Sequence, residues 1–204
     1  MGLYADQILP RAIDLLMRGG EIERIRARAA SGLAGEVVEI GFGSGRNLPH
    51  YPPGVRRVRA VDPATVGRRL AASRVAASPA PVEFVGLDAG RLPLGDASAD
   101  HVLSTWTLCT VPDAAAALAE IRRVLRPGGT LRFAEHGLAP DARVARAQRR
   151  LNPVQRRMAG GCNLDRPIGR LIAAAGLRIA SLDTYYMSGP RFLGYTYEGV
   201  AVKA

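Results

Sequence analysis

The feature that most constrains the fold is a regular alternation of short β-type runs with helical stretches between residues 35 and 136. The first run is Val37–Ile40, and a helix is predicted over Arg68–Ala77. Further strands are predicted at Val55–Val61, Val82–Val85, His101–Thr105 and Thr130–Ala134. Each run ends near a turn-forming residue, and strands that alternate with helices form parallel sheets covered on both faces. We therefore expect an α/β fold with a mostly parallel sheet.

The fourth and fifth strands are joined by the clearest helix of the sequence. It is predicted over Val111–Arg126, with an alanine-rich middle that favours helix formation. Thr110 is the expected N-cap, and Pro127-Gly128-Gly129 is expected to end the helix abruptly.

Residues 1–34 are predicted to form a helical lid over the sheet. Ile8, Ile13, Leu16 and Met17 lie on one side at helical spacing, and Pro10 is the expected break in the helix. Ile22 and Ile25 belong to a second helical piece. The lid, a core over residues 35–136 and a cap over residues 137–204 are expected to form one domain.

The cap begins with a basic amphipathic segment. Its apolar residues share one face, and its arginines occupy the others. The apolar residues are Val144, Ala147, Leu151, Val154 and Met158, and the arginines are Arg143, Arg146, Arg149, Arg150, Arg156 and Arg157. A helix over Pro167–Ala175 and two strands, Leu177–Leu182 and Gly194–Val202, complete a predicted sheet of seven strands.

A glycine-rich turn follows the first strand. Gly41, Gly43 and Gly45 leave backbone amides exposed, and their small size lets a ligand approach closely. A dinucleotide fingerprint would have its third glycine at position 46, where this chain has Arg46. The shorter spacing, with Glu39 two residues before the first glycine, favours a cofactor whose amino acid end carries an ammonium and a carboxylate.

Two acidic residues follow the next strands. Asp62 ends the second strand, where a carboxylate can accept hydrogen bonds from both ribose hydroxyls. Asp88 follows the third strand and is placed to reach an adenine amino group. Ligands of open α/β sheets bind at the carboxyl ends of strands, so we expect these residues to meet the glycine turn in one site.

With these residues the sequence resembles the class I methyltransferase superfamily, and within it bacterial relatives of the methyltransferase-like seven family of alkyl-thiol methyltransferases. The resemblance rests on Val38–Asn47, Tyr51–Gly54, Val61–Pro63, Ser104–Cys109, Val124–Gly129, Glu135-His136 and Gly161–Leu164. It implies a Rossmann-like class I methyltransferase fold and S-adenosylmethionine as the cofactor, with S-adenosylhomocysteine as the product. The acceptor is expected to be a small, fairly apolar molecule, with a thiol favoured by the resemblance.

The expected cofactor-binding residues lie at the ends of the first four strands. They are Glu39, Gly41, Phe42, Gly43, Ser44, Gly45, Asn47, Asp62, Pro63, Asp88, Ala89, Thr105, Trp106 and Thr107.

Methyl transfer from a sulfonium mainly requires that donor and acceptor be held in line, so a general base is optional. His136, at the end of the fifth strand, is the candidate base, and Glu135 is the candidate to orient it. Cys109 and Cys162 are far apart in sequence without ligand spacing, which argues against zinc and a disulfide framework. No metal is therefore expected.

An aromatic wall is a further expectation for the acceptor side. Tyr4, Tyr185, Tyr186 and Phe192 are the residues predicted to form it.

The net charge of +10 favours acidic partners such as phosphates, nucleic acid or anionic membrane surfaces. Contact between the basic segment and an anionic membrane surface is one interpretation, and a solvated helix face is the second. Aromatic residues are not interleaved with these arginines, so nucleic acid is an unlikely partner, although an RNA-modifying factor stays compatible with the sequence. The sequence is also compatible with two further functions. One is a methyltransferase acting on an oxygen, nitrogen or carbon atom of a lipid, quinone or natural product, and the other is a cofactor-binding protein without transfer activity.

Asp6, Arg11, Asp14 and Arg18 interrupt the N-terminus, so no membrane span or secretory signal is predicted and the expected location is cytoplasmic. The mammalian members of the resembled family begin with a hydrophobic anchor, so their localisation does not carry over.

Overall fold

The computed structural model describes residues 8–204, the side chain of Thr65 excepted, and its centre is one seven-stranded sheet. The strands are β1 (Gly35–Ile40), β2 (Val55–Val61), β3 (Val82–Gly86), β4 (Ala99–Thr105), β5 (Leu125–His136), β6 (Arg178–Tyr186) and β7 (Tyr195–Val202). Their order is β3-β2-β1-β4-β5-β7-β6, and β7 alone runs antiparallel to its neighbours. The predicted fold class is confirmed.

Helices cover both faces of the sheet. They are α1 (Leu9–Leu16), α2 (Gly20–Ala30), α3 (Thr65–Ala76), α4 (Ala114–Val124), α5 (Ala142–Met158), α6 (Ile168–Ala174) and α7 (Arg191–Gly194), with a 3₁₀ turn at Leu48–His50. Neighbouring strand residues point to opposite faces. Val37 packs in one core layer with Ile25 of α2, whereas Val38 packs in the other with Ile121 of α4 and Ile168 of α6.

Helix α4 differs from its prediction at both ends. Asp113, not Thr110, is the N-cap: its Oδ1 accepts hydrogen bonds from the amides of Ala115 and Ala116, which otherwise have no helical partner. The helix ends at Val124, and Pro127-Gly128-Gly129 lies within β5. This extension of β5 pairs with β4 through Ala99 and Leu125, so tertiary pairing overrides the local turn signal.

Other boundaries shift less. Helix α3 begins at Thr65, three residues before the prediction, and α6 begins after Pro167, which is its N-cap. Pro10 lies in the first turn of α1 rather than breaking a helix, because an amide there needs no helical partner. The break between the lid helices falls at residues 17–19.

Helix α5 contacts the rest of the molecule through polar side chains. Gln148 is buried, accepts a hydrogen bond from the Ala139 amide (2.9 Å) and donates to the Gly137 carbonyl (3.0 Å). The predicted apolar face is turned outward at Leu151, Val154 and Met158, which are 39%, 56% and 61% exposed. Within residues 8–204, no helix has the length and apolar content needed to span a membrane.

Candidate active site

A cavity of about 610 Å³ opens at the carboxyl ends of β1, β2 and β4, beneath α1. Eleven of the predicted cofactor-binding residues line it: Gly41, Phe42, Gly43, Ser44, Asp62, Pro63, Asp88, Ala89, Thr105, Trp106 and Thr107. Glu39, Gly45 and Asn47 are not among the lining residues. The structure therefore brings these eleven residues together at one cavity, and their role in cofactor binding stays a prediction.

The glycine turn has a backbone that only glycine adopts easily. Gly41, Gly43 and Gly45 have φ angles of +72°, +54° and +73°. A Cβ atom on Gly41 would also collide with the side chain of Thr107 at the end of β4. The turn thus brings bare backbone to the cavity wall.

Asp62 is held in place by the same turn. Its carboxylate accepts hydrogen bonds from the amides of Gly43 (2.7 Å) and Ala64 (2.6 Å). Burial raises its pKa even though these bonds favour the charged form. Since a carboxylate offers about four lone-pair positions, two remain for a ligand in the cavity.

Glu39 and Asn47 belong to a buried network behind the turn. Glu39 accepts hydrogen bonds from the Asn47 amide (2.8 Å) and the Tyr51 hydroxyl. Asn47 also donates to the Thr105 hydroxyl (3.0 Å) and accepts from Arg26 (2.8 Å). Burial raises the pKa of Glu39 to about 7. Both residues therefore act on the site through Arg26 and Thr105, which reach the cavity.

Arg26 is a site residue that the sequence analysis missed. It is buried, lines the cavity and lies 5.0 Å from the centre of the Trp106 ring. Its Nε and the Nε1 of Trp106 are buried donors without a hydrogen-bond partner in the described protein. Trp106 also has a φ of +51°, which is rare for a residue with a side chain. Such orphaned donors at a cavity wall fit a ligand that carries acceptors, such as a carboxylate.

Asp14 ties the lid to the glycine turn. Its carboxylate accepts hydrogen bonds from Ser44 Oγ (2.6 Å), Arg46 Nε (2.8 Å) and Arg18 (2.5 Å). Burial alone would raise the pKa of Asp14, but these hydrogen bonds hold it well below its usual value. Helix α1 is thereby fastened over the cavity by a charged latch.

The two predicted catalytic residues lie behind the cavity wall. Glu135 is fully buried and accepts hydrogen bonds from Ser104 Oγ (2.7 Å) and from the amides of Thr107 and Cys109 (3.1 Å each). Burial raises its pKa. Its partners hold the loop after β4, whereas no hydrogen bond joins it to His136 in the described chain.

His136 is half-buried, and its ring lies edge-on to Trp106 with 6.3 Å between the ring centres. Its Nδ1 is 3.9 Å from the Sγ of Cys162. It is not among the lining residues, so a role as base stays a prediction.

The two cysteines lie side by side despite their separation in sequence. Their Sγ atoms are 3.8 Å apart and both thiols are free, although their spacing in the sequence argues against a shared zinc site. A shared hydrogen bond raises the pKa of Cys109 and lowers that of Cys162. Both are buried behind the loop after β4.

Much of the remaining cavity lining is apolar or basic. The apolar part is formed by Pro10, Ile13, Met17, Val111 and Pro112, and the polar part by Thr110, Arg156, Asn163 and Arg166. Tyr185, Tyr186 and Phe192 are not among the lining residues of this cavity, so the aromatic wall stays a prediction. Tyr4 lies outside the described residues.

A family model described as a methyltransferase domain matches residues 38–133. Human thiol S-methyltransferase TMT1A is 33% identical over 170 residues, which are 78% of this chain and 69% of the relative. This chain belongs to the class I methyltransferases. Rat thiol S-methyltransferase TMT1B is 34% identical over 152 residues, 72% of this chain and 62% of the relative, so this methyltransferase spans less than two thirds of that relative.

A crystal structure of a methyltransferase from Bacillus halodurans C-125 superimposes with a TM-score of 0.69 at 18% identity, covering 90% of this chain and 96% of the other. At that identity the likeness concerns the fold.

The matched residues 38–133 of this methyltransferase include the glycine turn, Asp62 and Trp106. Asp14, Arg26, Arg156 and Arg166 lie outside them. Those residues reach the cavity from α1, α2, α5 and the segment before α6.

Proposed function

We propose that this protein transfers a methyl group from S-adenosylmethionine to a small, fairly apolar acceptor, and that a thiol is the preferred acceptor. The observation that carries the proposal is a single cavity whose wall combines the glycine turn, Asp62 and Trp106 with apolar and basic residues. The thiol S-methyltransferases among its relatives favour sulfur as the acceptor atom.

The donor fits the first half of this cavity. The two unused acceptor positions of Asp62 suit the ribose hydroxyls, and Asp88 suits the adenine amino group. Arg26 and Trp106 have unpartnered donors at the wall where the amino acid end would lie. Bound S-adenosylmethionine supplies a methyl group on a positively charged sulfur.

The role of this protein in catalysis is to position the reactants and exclude water. A bond forms between the acceptor sulfur and the methyl carbon while the bond from that carbon to the donor sulfonium breaks, and the thiol proton leaves to solvent. Trp106 and the latched lid confine the acceptor close to the methyl group, which reduces the entropy cost of reaching an in-line geometry.

The basic end of the cavity favours the reactive form of a thiol. A free thiol has a pKa near ~8.5, and a positive field increases its thiolate fraction. Arg156 and Arg166 provide such a field. His136 acts, in this proposal, by supporting the Trp106 side of the wall, or as a base if a water links it to the acceptor.

A transfer assay tests the acceptor. The protein is incubated with labelled S-adenosylmethionine and matched sets of alkyl and aryl thiols, alcohols and amines. We expect label only in thioethers, with a rate that rises with the hydrophobicity of the thiol. Label in alcohols, amines or quinones but not in thiols would contradict the thiol assignment and leave the methyltransferase assignment intact.

We also propose peripheral contact with anionic membranes. Leu151, Val154 and Met158 form an exposed apolar stripe on α5 at spacings of three and four residues, here called the α5 stripe. Arginines flank it, and Arg156 of the same helix lines the cavity. An apolar acceptor dissolved in a membrane would then reach the cavity from the surface to which α5 is bound.

A further inference from the structure

Behind the acceptor end of the cavity, three metal-binding side chains converge. Cys109 lies in the loop after β4, His136 is the last residue of β5, and Cys162 follows α5. Their ligand atoms all lie within 4.8 Å of one another. We infer that Cys109, His136 and Cys162 form a binding site for a thiophilic divalent cation, and that Zn²⁺ is the expected ion.

The sulfur–sulfur distance matches a zinc site, and the sulfur–nitrogen distance is a few tenths of an ångström longer than in one. Two Zn–S bonds of about 2.3 Å at a tetrahedral angle place their sulfurs about 3.8 Å apart, and a Zn–S with a Zn–N bond places S and N about 3.5 Å apart. Here the Sγ atoms are 3.8 Å apart, and Cys162 Sγ is 3.9 Å from His136 Nδ1. The third pair, Cys109 Sγ and the His136 ring nitrogen, lies within 4.8 Å, so a small closing movement would complete one face of a coordination tetrahedron and leave the fourth position for water or another small ligand.

The backbone around the ligands is rigid before any ion binds. The Asn163 amide and side chain donate to the Cys109 carbonyl at 2.8 and 3.0 Å, which ties the two cysteine segments together. The Cys109 amide donates to the buried carboxylate of Glu135, the residue before His136. Ligands on three elements are therefore linked through their neighbours, which lowers the entropy cost of assembling a site.

The charge balance also permits a cation. Two thiolates and Zn²⁺ are together neutral, whereas two buried thiolates alone would carry an uncompensated charge. Arg166 interacts electrostatically with both cysteines and with Glu135, and it is anchored by hydrogen bonds to the carbonyls of Leu108 (2.5 Å) and Pro112 (3.3 Å). Because two carbonyls hold Arg166 and the Ser104 hydroxyl holds Glu135, the ion need not displace either side chain.

The ion would stabilise the wall of the acceptor site. Thr110, Gly161 and Asn163 line the cavity and are sequence neighbours of the cysteines. Thr110 Oγ1 is 3.5 Å from the Cys109 sulfur. Binding would fix the loop after β4 to the segment after α5, so the site is distinct from the donor site and its test needs no methyl transfer.

Cobalt(II) substitution tests the site directly. The reduced protein is stripped with a chelator, and Co²⁺ is then added while absorption is recorded. We expect one equivalent per chain, thiolate-to-cobalt charge-transfer bands and the intense visible bands of tetrahedral cobalt, all displaced by Zn²⁺. The chain has only two cysteines, so a two-thiolate spectrum assigns Cys109 and Cys162 without any variant.

Variants then assign the third ligand. Cys109→Ser and Cys162→Ser should abolish stoichiometric binding, and His136→Asn should weaken it at least about 10-fold. His50→Asn is the matched control, because His50 pairs with Glu23 (2.7 Å) away from the cluster, and it should bind like the wild type. Circular dichroism confirms that each variant is folded.

Two results would overturn the inference. One is a reduced wild-type protein that retains no Co²⁺ or Zn²⁺ after dialysis. A wild-type protein that forms a Cys109–Cys162 disulfide instead of binding the ion would have the same meaning. The other is cobalt binding without charge-transfer bands, which would place the ion elsewhere.

Discussion

In the proposed function, binding of the donor depends most directly on Asp62. Asp62→Asn keeps the volume of the side chain but removes its charge and sets an NH₂ group against the amide of either Gly43 or Ala64. We expect the affinity for S-adenosylhomocysteine to fall about 10- to 100-fold, since a hydrogen bond to a charged group is worth about 1.5–3 kcal/mol. Titration calorimetry measures it.

The matched control is Asp183→Asn, an exposed carboxyl on β6 far from the cavity residues. Equal affinities for the two variants would show that Asp62 does not bind the donor.

Glu39 should make stability depend on pH. The pKa of Glu39 is about 7 in the folded protein against 4.5 when unperturbed. Between these values the folded state holds a proton that the unfolded state has lost, so stability falls as pH rises. Glu39→Gln removes this titrating group. The unfolding free energy should therefore fall less between pH 5 and pH 8 in the variant than in the wild type, by about 1–3 kcal/mol.

Urea unfolding at both pH values measures the difference. Glu83→Gln, at an exposed position on β3, is the control and should leave the pH profile unchanged. A Glu39→Gln profile parallel to that of the wild type would refute the argument.

At the scale of single residues, the sequence predicts the cavity residues that follow strand ends. It misses those that come from elements distant in the sequence. Asp62 and Trp106 follow directly from the ends of β2 and β4. Arg26 is one of many arginines in the sequence, and its contact with Thr105 joins residues 79 positions apart. No local pattern marks such a contact, because it depends on how α2 packs against the sheet.

Among the elements, α1 depends most on a few side chains. It has eight residues, too few for a stable isolated helix. Asp14→Asn weakens its bonds to Ser44 and Arg46 and leaves the little-exposed Arg46 poorly paired. We expect faster hydrogen exchange in α1 and a several-fold loss of donor affinity, while the exchange of α4 is unchanged.

Leu15→Ala is the control for the lid, because Leu15 lies on the same helix and is 64% exposed. Equal exchange of α1 in both variants would show that the latch does not hold the lid.

The cap of α4 gives a test that separates the two interpretations of its start. Asp113→Ala should lower the unfolding free energy by about 1 kcal/mol, because two amides lose their acceptor. Thr110→Ala, at the position that the sequence favours as the cap, should lack this effect. Denaturant unfolding of both variants decides the point, and a larger loss for Thr110→Ala would reverse it.

This case also shows why elements are easier to predict than their ends. The alanine-rich middle of α4 and the hydrophobic runs of the strands depend on local preference. The path of Pro127-Gly128-Gly129 within β5 depends on pairing with β4, which the local sequence does not encode.

For the whole molecule, the decisive step is the convergence of distant segments on one edge of the sheet. Cys109 and Cys162 are separated by 53 positions, yet their sulfurs are 3.8 Å apart. Sequence spacing identifies metal sites only when ligands lie in one loop or helix. The fold class is predictable from alternation, whereas the apolar and basic part of the cavity lining comes from α1, the loop after β4 and the segment after α5.

The charge of +10 and the α5 stripe together predict how the molecule meets a membrane. Apolar side chains insert at the lipid interface, and each nearby arginine adds about 1 kcal/mol on an anionic surface. We expect sedimentation with vesicles that contain phosphatidylserine, much weaker binding to phosphatidylcholine alone, and release by high salt.

The double variant Leu151→Ser/Val154→Ser should bind at least about 10-fold more weakly, since it removes apolar area from the contact. Leu182→Ser on β6 is the control, because Leu182 is as exposed as Leu151 but lies outside the stripe. Equal losses for the two variants, or equal binding to neutral vesicles, would show that α5 is a solvated face.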